Sequence, residues 1–165
     1  MMRRLAAPLL IVIAVALGGC VILPPVGPSA PITGETLIPS DPVGCTDELT
    51  INQPGDHRIG DCEVLTVEGQ GIEVVAGEVG TLIIRGDDID VGTSSIGALE
   101  INGQVNDVES GAIGSVDIAG DRNDVESLAD IGTVTIGGNE NEVTYRDGVG
   151  AVDDRGDRNE VRQDR

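Results

Sequence analysis

The sequence has almost no aromatic residues. It contains no Trp, no Phe and a single Tyr, Tyr145, among 165 residues. Aromatic rings normally anchor a globular core because each buries about 150–250 Å². A core in this chain must therefore be built from small aliphatic and β-branched side chains. Together with 24 Gly residues, this composition argues against ordinary globular packing and favours a repetitive fold.

Positive charge is also scarce, and lysine is absent. All ten basic residues are Arg, whereas 29 residues are acidic, which gives a formal net charge of −19. A surface of this charge repels DNA, RNA and anionic lipid headgroups, so the composition argues against nucleic-acid binding. The same surface would attract multivalent cations or a basic protein.

No hydrophobic run is long enough to span a membrane as a helix. The longest, residues 5–17, follows Arg3 and Arg4 and is shorter than the roughly 20 residues that a spanning helix needs. This arrangement is typical of a secretory signal peptide. Its last residues, LGGC at 17–20, resemble the lipobox of bacterial lipoproteins. The resemblance implies cleavage before Cys20 and attachment of a diacylglyceryl group to the Cys20 sulfur.

The following segment is rich in proline. Residues 21–44 hold Pro24, Pro25, Pro28, Pro31, Pro39 and Pro42. This density of Pro excludes a helix and a regular strand and predicts an extended tether, which at about 3.1 Å per residue could reach roughly 75 Å. A Pro-rich recognition peptide is the alternative. The predicted organisation is a signal peptide at 1–19, a lipidated Cys and tether at 20–44, and a repeat domain at 45–165.

The rest of the chain repeats every 17–18 residues. Three apolar columns and one Gly column follow one another through six copies: Leu65, Leu82, Leu99, Val116, Val134 and Val152; Val67, Ile84, Ile101, Ile118 and Ile136, with Asp154 in the sixth place; Gly69, Gly86, Gly103, Gly120, Gly138 and Gly156; and Val74, Val91, Val108, Val125, Val143 and Val161. Apolar and polar residues alternate within each copy, which is the period of a strand. One such repeat is too short to bury its own apolar face, but stacked repeats bury one another. We therefore predict an all-β fold, a single-stranded parallel β-helix (β-solenoid) of about seven coils.

Asparagine occupies an inner column beside the valines. Each Asn stands two residues before the Val column, so strand alternation turns it to the same side: Asn106, Asn123, Asn141 and Asn159. Ile72 and Ile89 fill this column in earlier coils. We predict a structural Asn ladder, with an Asn-lined ligand site as the alternative. The Gly column is predicted to supply tight turns with positive φ.

Two cysteines remain besides Cys20. Cys45 and Cys62 occupy nearly equivalent turns of successive coils, at a spacing that suits a disulfide in an oxidising compartment. Closing this short loop would add about 3 kcal/mol. A metal pair is the alternative and needs further ligands, although His57 is the sole histidine. At the other end the last coil is polar, which discourages end-to-end strand pairing: Asp153, Asp154, Arg155, Asp157 and Arg158.

The repeats "INGQVNDVES", "IAGDRNDVES" and "IGGNENEVTY", after a lipobox and a Cys pair, resemble a family of actinobacterial secreted proteins and lipoproteins, the domain of unknown function 3060. The similarity covers residues 45–165 through the signature Gly-x-x-Asn-x-Val. It implies the solenoid fold and an extracytoplasmic compartment, and it implies no activity.

Acidic residues at the corners raise the question of calcium. The segment "GGNENEVTY" is similar to the Gly-rich nonapeptide of calcium-binding β-rolls, but Glu140 replaces a required Gly. Oxygen ligands could come from Asp87, Asp88, Asp90, Asp121, Asp124, Glu140 and Glu142. A solvated acidic face is the preferred interpretation, and calcium binding is the alternative.

One outward column is acidic in all six coils and offers paired carboxylates: Glu73, Asp90, Asp107, Asp124, Glu142 and Glu160. Sugar-cleaving sites also need aromatic platforms, and this chain has one Tyr, one His and no Ser nucleophile motif. Two RGD triplets, at 85–87 and 155–157, fall at Gly corners flanked by charges and are interpreted as products of the repeat.

These patterns predict a lipid-anchored protein on the extracytoplasmic face of the cell membrane, with a structural or protein-binding role at the cell envelope. We expect no catalytic activity, no cofactor and no dedicated metal site. The predicted partners are the membrane, through the lipid on Cys20, and an envelope protein. A calcium-binding module is the alternative, followed by a glycan-active enzyme.

Overall fold

A computed structural model describes residues 44–45 and 47–165, and it confirms the predicted all-β parallel solenoid of about seven coils. The signal peptide, the lipidation site Cys20 and the predicted tether apart from Gly44 lie outside the described residues. None of the described residues belongs to a helix long and apolar enough to cross a membrane. The strands are β1 (Glu48–Ile51), β2 (Gly55–Arg58), β3 (Cys62–Val75), β4 (Glu78–Ile101), β5 (Asp107–Ile118), β6 (Asp124–Ser127), β7 (Ile131–Ile136), β8 (Glu142–Tyr145), β9 (Val149–Asp154) and β10 (Glu160–Gln163).

Every strand pair is parallel, and the register joins equivalent residues of successive repeats. Leu65 lies beside Leu82 and Val116 beside Val134, so the apolar columns of the sequence become continuous ladders. Within β1–β10, one path of pairing runs β1-β3-β4-β5-β6-β8-β10, and β5-β7-β9 forms a second one. The side chains of the inner columns are buried from Ile51 to Val143 and form one core. Leu, Ile and Val dominate the apolar inner columns of these narrow coils, in keeping with the scarcity of aromatic residues in the sequence.

The Gly column is required by close approach of the coils rather than by backbone conformation. We expected positive φ at these glycines, and this prediction is wrong for the column beyond Gly69, the one member with positive φ (127°). A Cβ at Gly103 or Gly120 would instead overlap the carbonyl oxygen of the glycine one coil earlier. The column is glycine because only hydrogen fits between successive corners.

Positive φ occurs two residues further along the corner. Gly71 has a φ of 64° there, and the later coils place non-glycine residues at 57–60°: Asp88, Val105, Arg122, Glu140 and Arg158. Val105 is the most strained of these because β-branched residues are disfavoured in the left-handed region. The turn that the repeat needs is therefore made by the residue that precedes the Asn column.

Candidate functional site

The asparagines of the inner column form a hydrogen-bonded ladder. The Asn106 Nδ2 donates to Asn123 Oδ1 at 2.9 Å and to the Gly86 carbonyl at 3.0 Å. The Asn106 Oδ1 accepts from the Ile89 backbone N–H at 3.1 Å, and Asn123 and Asn141 repeat the pattern. Asn106, Asn123 and Asn141 are buried. In Asn123 and Asn141 both donors and both acceptor positions of the side-chain amide are used inside the fold, so these amides have no hydrogen-bonding position left for a ligand.

A second buried polar column was missed by the sequence analysis. Ser110 and Ser127 are buried one coil apart, beside Thr93. The Thr93 hydroxyl donates to the Ser110 hydroxyl at 2.9 Å, and the Ser127 hydroxyl donates to the Gly111 carbonyl at 2.7 Å. The signal was their place two residues after the Val column, where alternation turns a side chain inward. These hydroxyls bond to one another or to a backbone carbonyl of the fold and have a structural role.

Cys45 and Cys62 come together at the first coil. Their sulfur atoms lie at bonding distance, and their Cα atoms are 5.0 Å apart, within the range of disulfides. His57 lies in the inward Val column beside Val74, and its Nε2 is 2.8 Å from the Gln53 carbonyl oxygen. Among residues 44–45 and 47–165, no group of three or more His, Cys, Asp or Glu side chains is arranged to hold a metal ion.

The outward acidic column is stacked in register along the solenoid. Each of its carboxylates lies beside the next in the strand pairing: Glu73, Asp90, Asp107, Asp124, Glu142 and Glu160. Neighbouring strands are about 4.8 Å apart, and like charges directly opposite each other destabilise a sheet. This surface, which we term the acidic face, therefore brings like charges together at every coil.

A neighbouring column shows that the fold does not require such stacking. At the corner, carboxylates alternate with amides in the order Asp87, Gln104, Asp121, Asn139 and Asp157. Here the carboxylates are used structurally: Asp87 accepts from the Gln104 backbone N–H at 2.9 Å, and Asp121 accepts from that of Asn139 at 2.7 Å. Like charges are thus kept two coils apart at the corner, whereas the acidic face brings them together.

An open groove crosses the first half of the acidic face. The next outward column runs through Arg58, Val75, Gly92 and Glu109, and Gly92 leaves free space where a side chain would stand. The groove measures about 270 Å³, and its outward-facing lining consists of Glu73, Val75, Asp90, Gly92, Asp107 and Glu109. The Val75 side chain is 49% exposed and provides an apolar wall. The site therefore combines four carboxylates with one aliphatic surface.

Arginine neutralises only the far end of the acidic face. The Arg162 guanidinium contacts Glu142 and lies 3.4 Å from Glu160. The ion pairs found within residues 44–45 and 47–165 include none to the groove carboxylates. The groove carboxylates thus form no ion pair in this part of the chain, and the nearest arginine along their neighbouring column is Arg58, beside Val75.

Two aspartates of the acidic face have perturbed acidity. Burial, followed by the charges of Asp90, Glu109 and Glu126, raises the pKa of Asp107. The pKa of Asp124 is raised by burial first and then by Asp107, Glu142 and Glu126, although Arg162 opposes the shift. Both shifts mean that these two carboxyl groups hold their protons more tightly in the folded protein than in the unfolded chain.

We expect neutralisation of Asp107 and Asp124 to stabilise the fold at neutral pH. Because their pKa values are raised on folding, their favourable contribution is complete below the ordinary aspartate pKa of about 3.9 and is lost as pH rises through the folded values. The variant Asp107→Asn/Asp124→Asn should therefore unfold at a higher temperature than the unaltered protein at about pH 7, and the difference should shrink toward about pH 4. Thermal denaturation followed by circular dichroism measures both midpoints.

Asp117→Asn is the control, because Asp117 lies in a different outward column, beside Glu100 and Thr135. It relieves a single like-charge contact, with Glu100, and leaves the acidic face unchanged, so we expect a smaller gain than in the double variant. A gain that is the same at both pH values, or equal in the control, would contradict the electrostatic interpretation.

The calcium candidates are divided among three columns. Asp90, Asp124 and Glu142 lie in the acidic face, Asp87 and Asp121 in the corner column, and Asp88 and Glu140 at the positive-φ position. The RGD triplets are tied into the fold as well: Arg85 pairs with Glu68 at 3.4 Å, and Arg155 pairs with Asp153. The Asp87 carboxylate accepts a hydrogen bond from the Gln104 backbone N–H, and the Asp157 backbone N–H donates to the Asn139 Oδ1.

The groove itself was not identified from the sequence. The acidic column was recognised, but the importance of Gly92 and Val75 was not. The available signal was that Val75 and Gly92 are uncharged, whereas the residues that follow them in the same column, Glu109 and Glu126, are acidic. Comparison with protein-family models, with curated proteins and with solved structures gives no match to this chain.

Proposed function

We propose that this chain is a lipid-anchored, extracytoplasmic binding scaffold that captures a basic segment of an envelope protein on its acidic face, without catalysis. The observation that supports the proposal is the unbroken acidic column beside the groove at Gly92. Repulsion between its carboxylates destabilises the isolated protein, and a cationic partner would relieve it. The resemblance to the domain of unknown function 3060 is part of the same proposal and supports the compartment.

The length of the acidic face at and beside the groove suits an extended peptide. Glu73, Asp90, Asp107 and Asp124 span three coil spacings, or about 14 Å. Alternate side chains of an extended segment are about 6.7 Å apart, so three basic residues at i, i+2 and i+4 cover about 13 Å. The aliphatic stem of a Lys or Arg would lie on Val75 while its charged group reaches Asp90 or Asp107. The favoured partner is therefore a strand-like segment with Lys or Arg at alternate positions.

A synthetic peptide of alternating Lys and Val tests the binding role. We expect it to bind the full chain, kept soluble in a non-ionic detergent, with an affinity that falls as salt is added. Asp90→Asn/Asp107→Asn should weaken binding about tenfold or more, equivalent to about 1.4 kcal/mol. The matched control Glu142→Gln/Glu160→Gln removes two charges from the same column at the Arg-neutralised end and should change binding less than about twofold.

Isothermal titration calorimetry measures these affinities. Equal weakening by both double variants would show that the peptide senses net charge rather than the groove. Absence of binding to the unaltered protein would contradict the proposed partner class.

The membrane anchor is tested separately. We expect mass spectrometry of the protein from a bacterial membrane fraction to find residue 20 as the N-terminal residue, carrying a diacylglyceryl thioether. Cys20→Ala should move the protein out of the membrane fraction. An unmodified Cys20, or membrane retention of the variant, would contradict lipid anchoring and would leave the result of the peptide titration unaffected.

A further inference from the structure

One residue breaks the apolar columns in the last described coil. Asp154 lies beside Ile136 in β9, at the inner position that earlier coils fill with Val67, Ile84, Ile101 and Ile118. Its Oδ1 accepts hydrogen bonds from the Asn159 Nδ2 at 2.8 Å and from the Gly156 backbone N–H at 3.0 Å. In the coils before it, the Nδ2 of each Asn donates to the Oδ1 of the following Asn. Asp154 thus supplies from within its own coil the acceptor that a further coil would otherwise supply.

Both edges of the described solenoid offer unpaired strands. Within residues 44–45 and 47–165, β9 and β10 pair only with the coil before them, and β1 and β2 pair only with β3. Unpaired edges of a regular sheet are templates for another strand. Since the repeat is uniform, the first coil of one copy could in principle continue the last coil of another.

An in-register junction between two copies would be mismatched at three columns. Continuation of the columns sets Asp154 against Ile51, Glu160 against Asp56, and Arg162 against Arg58. The two outward contacts oppose like charges. The inner contact is the most severe, because it would remove an ionised carboxylate from water and place it against an aliphatic side chain. The Val152 column, which would meet Leu49, is compatible.

We propose that Asp154 stops a second copy of this chain from adding head to tail to the solenoid. It closes the asparagine ladder and places a charge in the column where stacking needs an apolar side chain. The inference concerns the ends of the fold and is independent of the groove.

The test compares two isoleucine substitutions in neighbouring residues of the full chain. Asp154→Ile restores the apolar column, whereas Asp153→Ile makes the same change in charge and hydrophobicity in the outward column beside Thr135. Sedimentation velocity over a range of protein concentrations, in detergent, should show Asp154→Ile forming head-to-tail oligomers where the unaltered protein and Asp153→Ile sediment as single copies. Circular dichroism checks that both variants keep their strand content. Equal association of the two variants, or none in either, would overturn the proposal.

A second set of variants tests the register. One of them keeps Asp154, so its result does not depend on whether Asp154→Ile folds. Glu160→Lys/Arg162→Glu converts both outward contacts to opposite charges while keeping Asp154, and we expect it to remain a single copy. Combined with Asp154→Ile, these changes should lower the concentration needed for association at least about tenfold relative to Asp154→Ile. Association of Glu160→Lys/Arg162→Glu itself would assign the block to the outward charges and refute the role of Asp154.

Discussion

Replacing Gly120 with alanine is expected to lower the free energy of unfolding by about 3 kcal/mol or more. The new Cβ would lie 2.7 Å from the Gly103 carbonyl carbon and closer still to its oxygen. These are backbone atoms of the adjacent coil, so the contact could be relieved only by separating two coils that are hydrogen-bonded on both sides of the corner. Chemical denaturation monitored by circular dichroism measures the change.

Gly92→Ala is the matched control for Gly120→Ala. Gly92 lies in β4 of the same sheet, and a Cβ at this position meets nothing within 4 Å. Its substitution should leave stability unchanged or raise it by up to about 1 kcal/mol, because alanine loses less backbone entropy on folding. If both variants were equally destabilised, the loss would reflect the general effect of replacing glycine, and the close-approach explanation would be wrong.

Replacing Asn123 with alanine is expected to remove about 3 kcal/mol or more of stability. The Asn106 backbone N–H and the Asn106 Nδ2 both donate to Asn123 Oδ1, and the Gly103 carbonyl accepts from Asn123 Nδ2. These partners would be left unsatisfied inside the solenoid, where each unpaired polar group costs about 1–3 kcal/mol. The cost should appear as a lower denaturant midpoint in equilibrium unfolding.

The position within the ladder should decide how much isoleucine is tolerated. Asn106→Ile extends a column that is already isoleucine at Ile72 and Ile89, and Asn123 Oδ1 still accepts from the backbone of residue 106. Asn123→Ile interrupts the ladder in its middle. We therefore expect Asn106→Ile to be the less destabilising of the two, and the reverse order would contradict the ladder as a cooperative unit.

The fold could be predicted because the repeat encodes its own register. Identical residue types recur at equal spacing, so alignment of Leu65 with Leu82 and of Val74 with Val91 already states which residues are neighbours in the sheet. The direction of each side chain follows from strand alternation. The inward asparagines were recognised for the same reason, since isoleucine fills their column in earlier coils.

Other features depended on distances that a sequence does not contain. The conformation of the corner was assigned to the wrong residue, because glycine serves equally well for positive φ and for close approach. Only the backbone separation at Gly103 and Gly120 distinguishes the two reasons. The groove was missed because its shape results from one absent side chain, at Gly92, beside carboxylates that were recognised as a column but not as the walls of a site.

The central claim is that the acidic residues of the solenoid bind no specific cation, so that the acidic face is available to a protein partner. Thermal melting of the full chain with millimolar calcium, and with the same concentration of magnesium, tests this claim most directly. A calcium site at 100 times its dissociation constant would add about 2.7 kcal/mol of stability. The account predicts small and equal shifts for the two ions, from screening of the acidic face. A large rise with calcium that magnesium does not reproduce would contradict the account and identify the acidic corners as calcium sites.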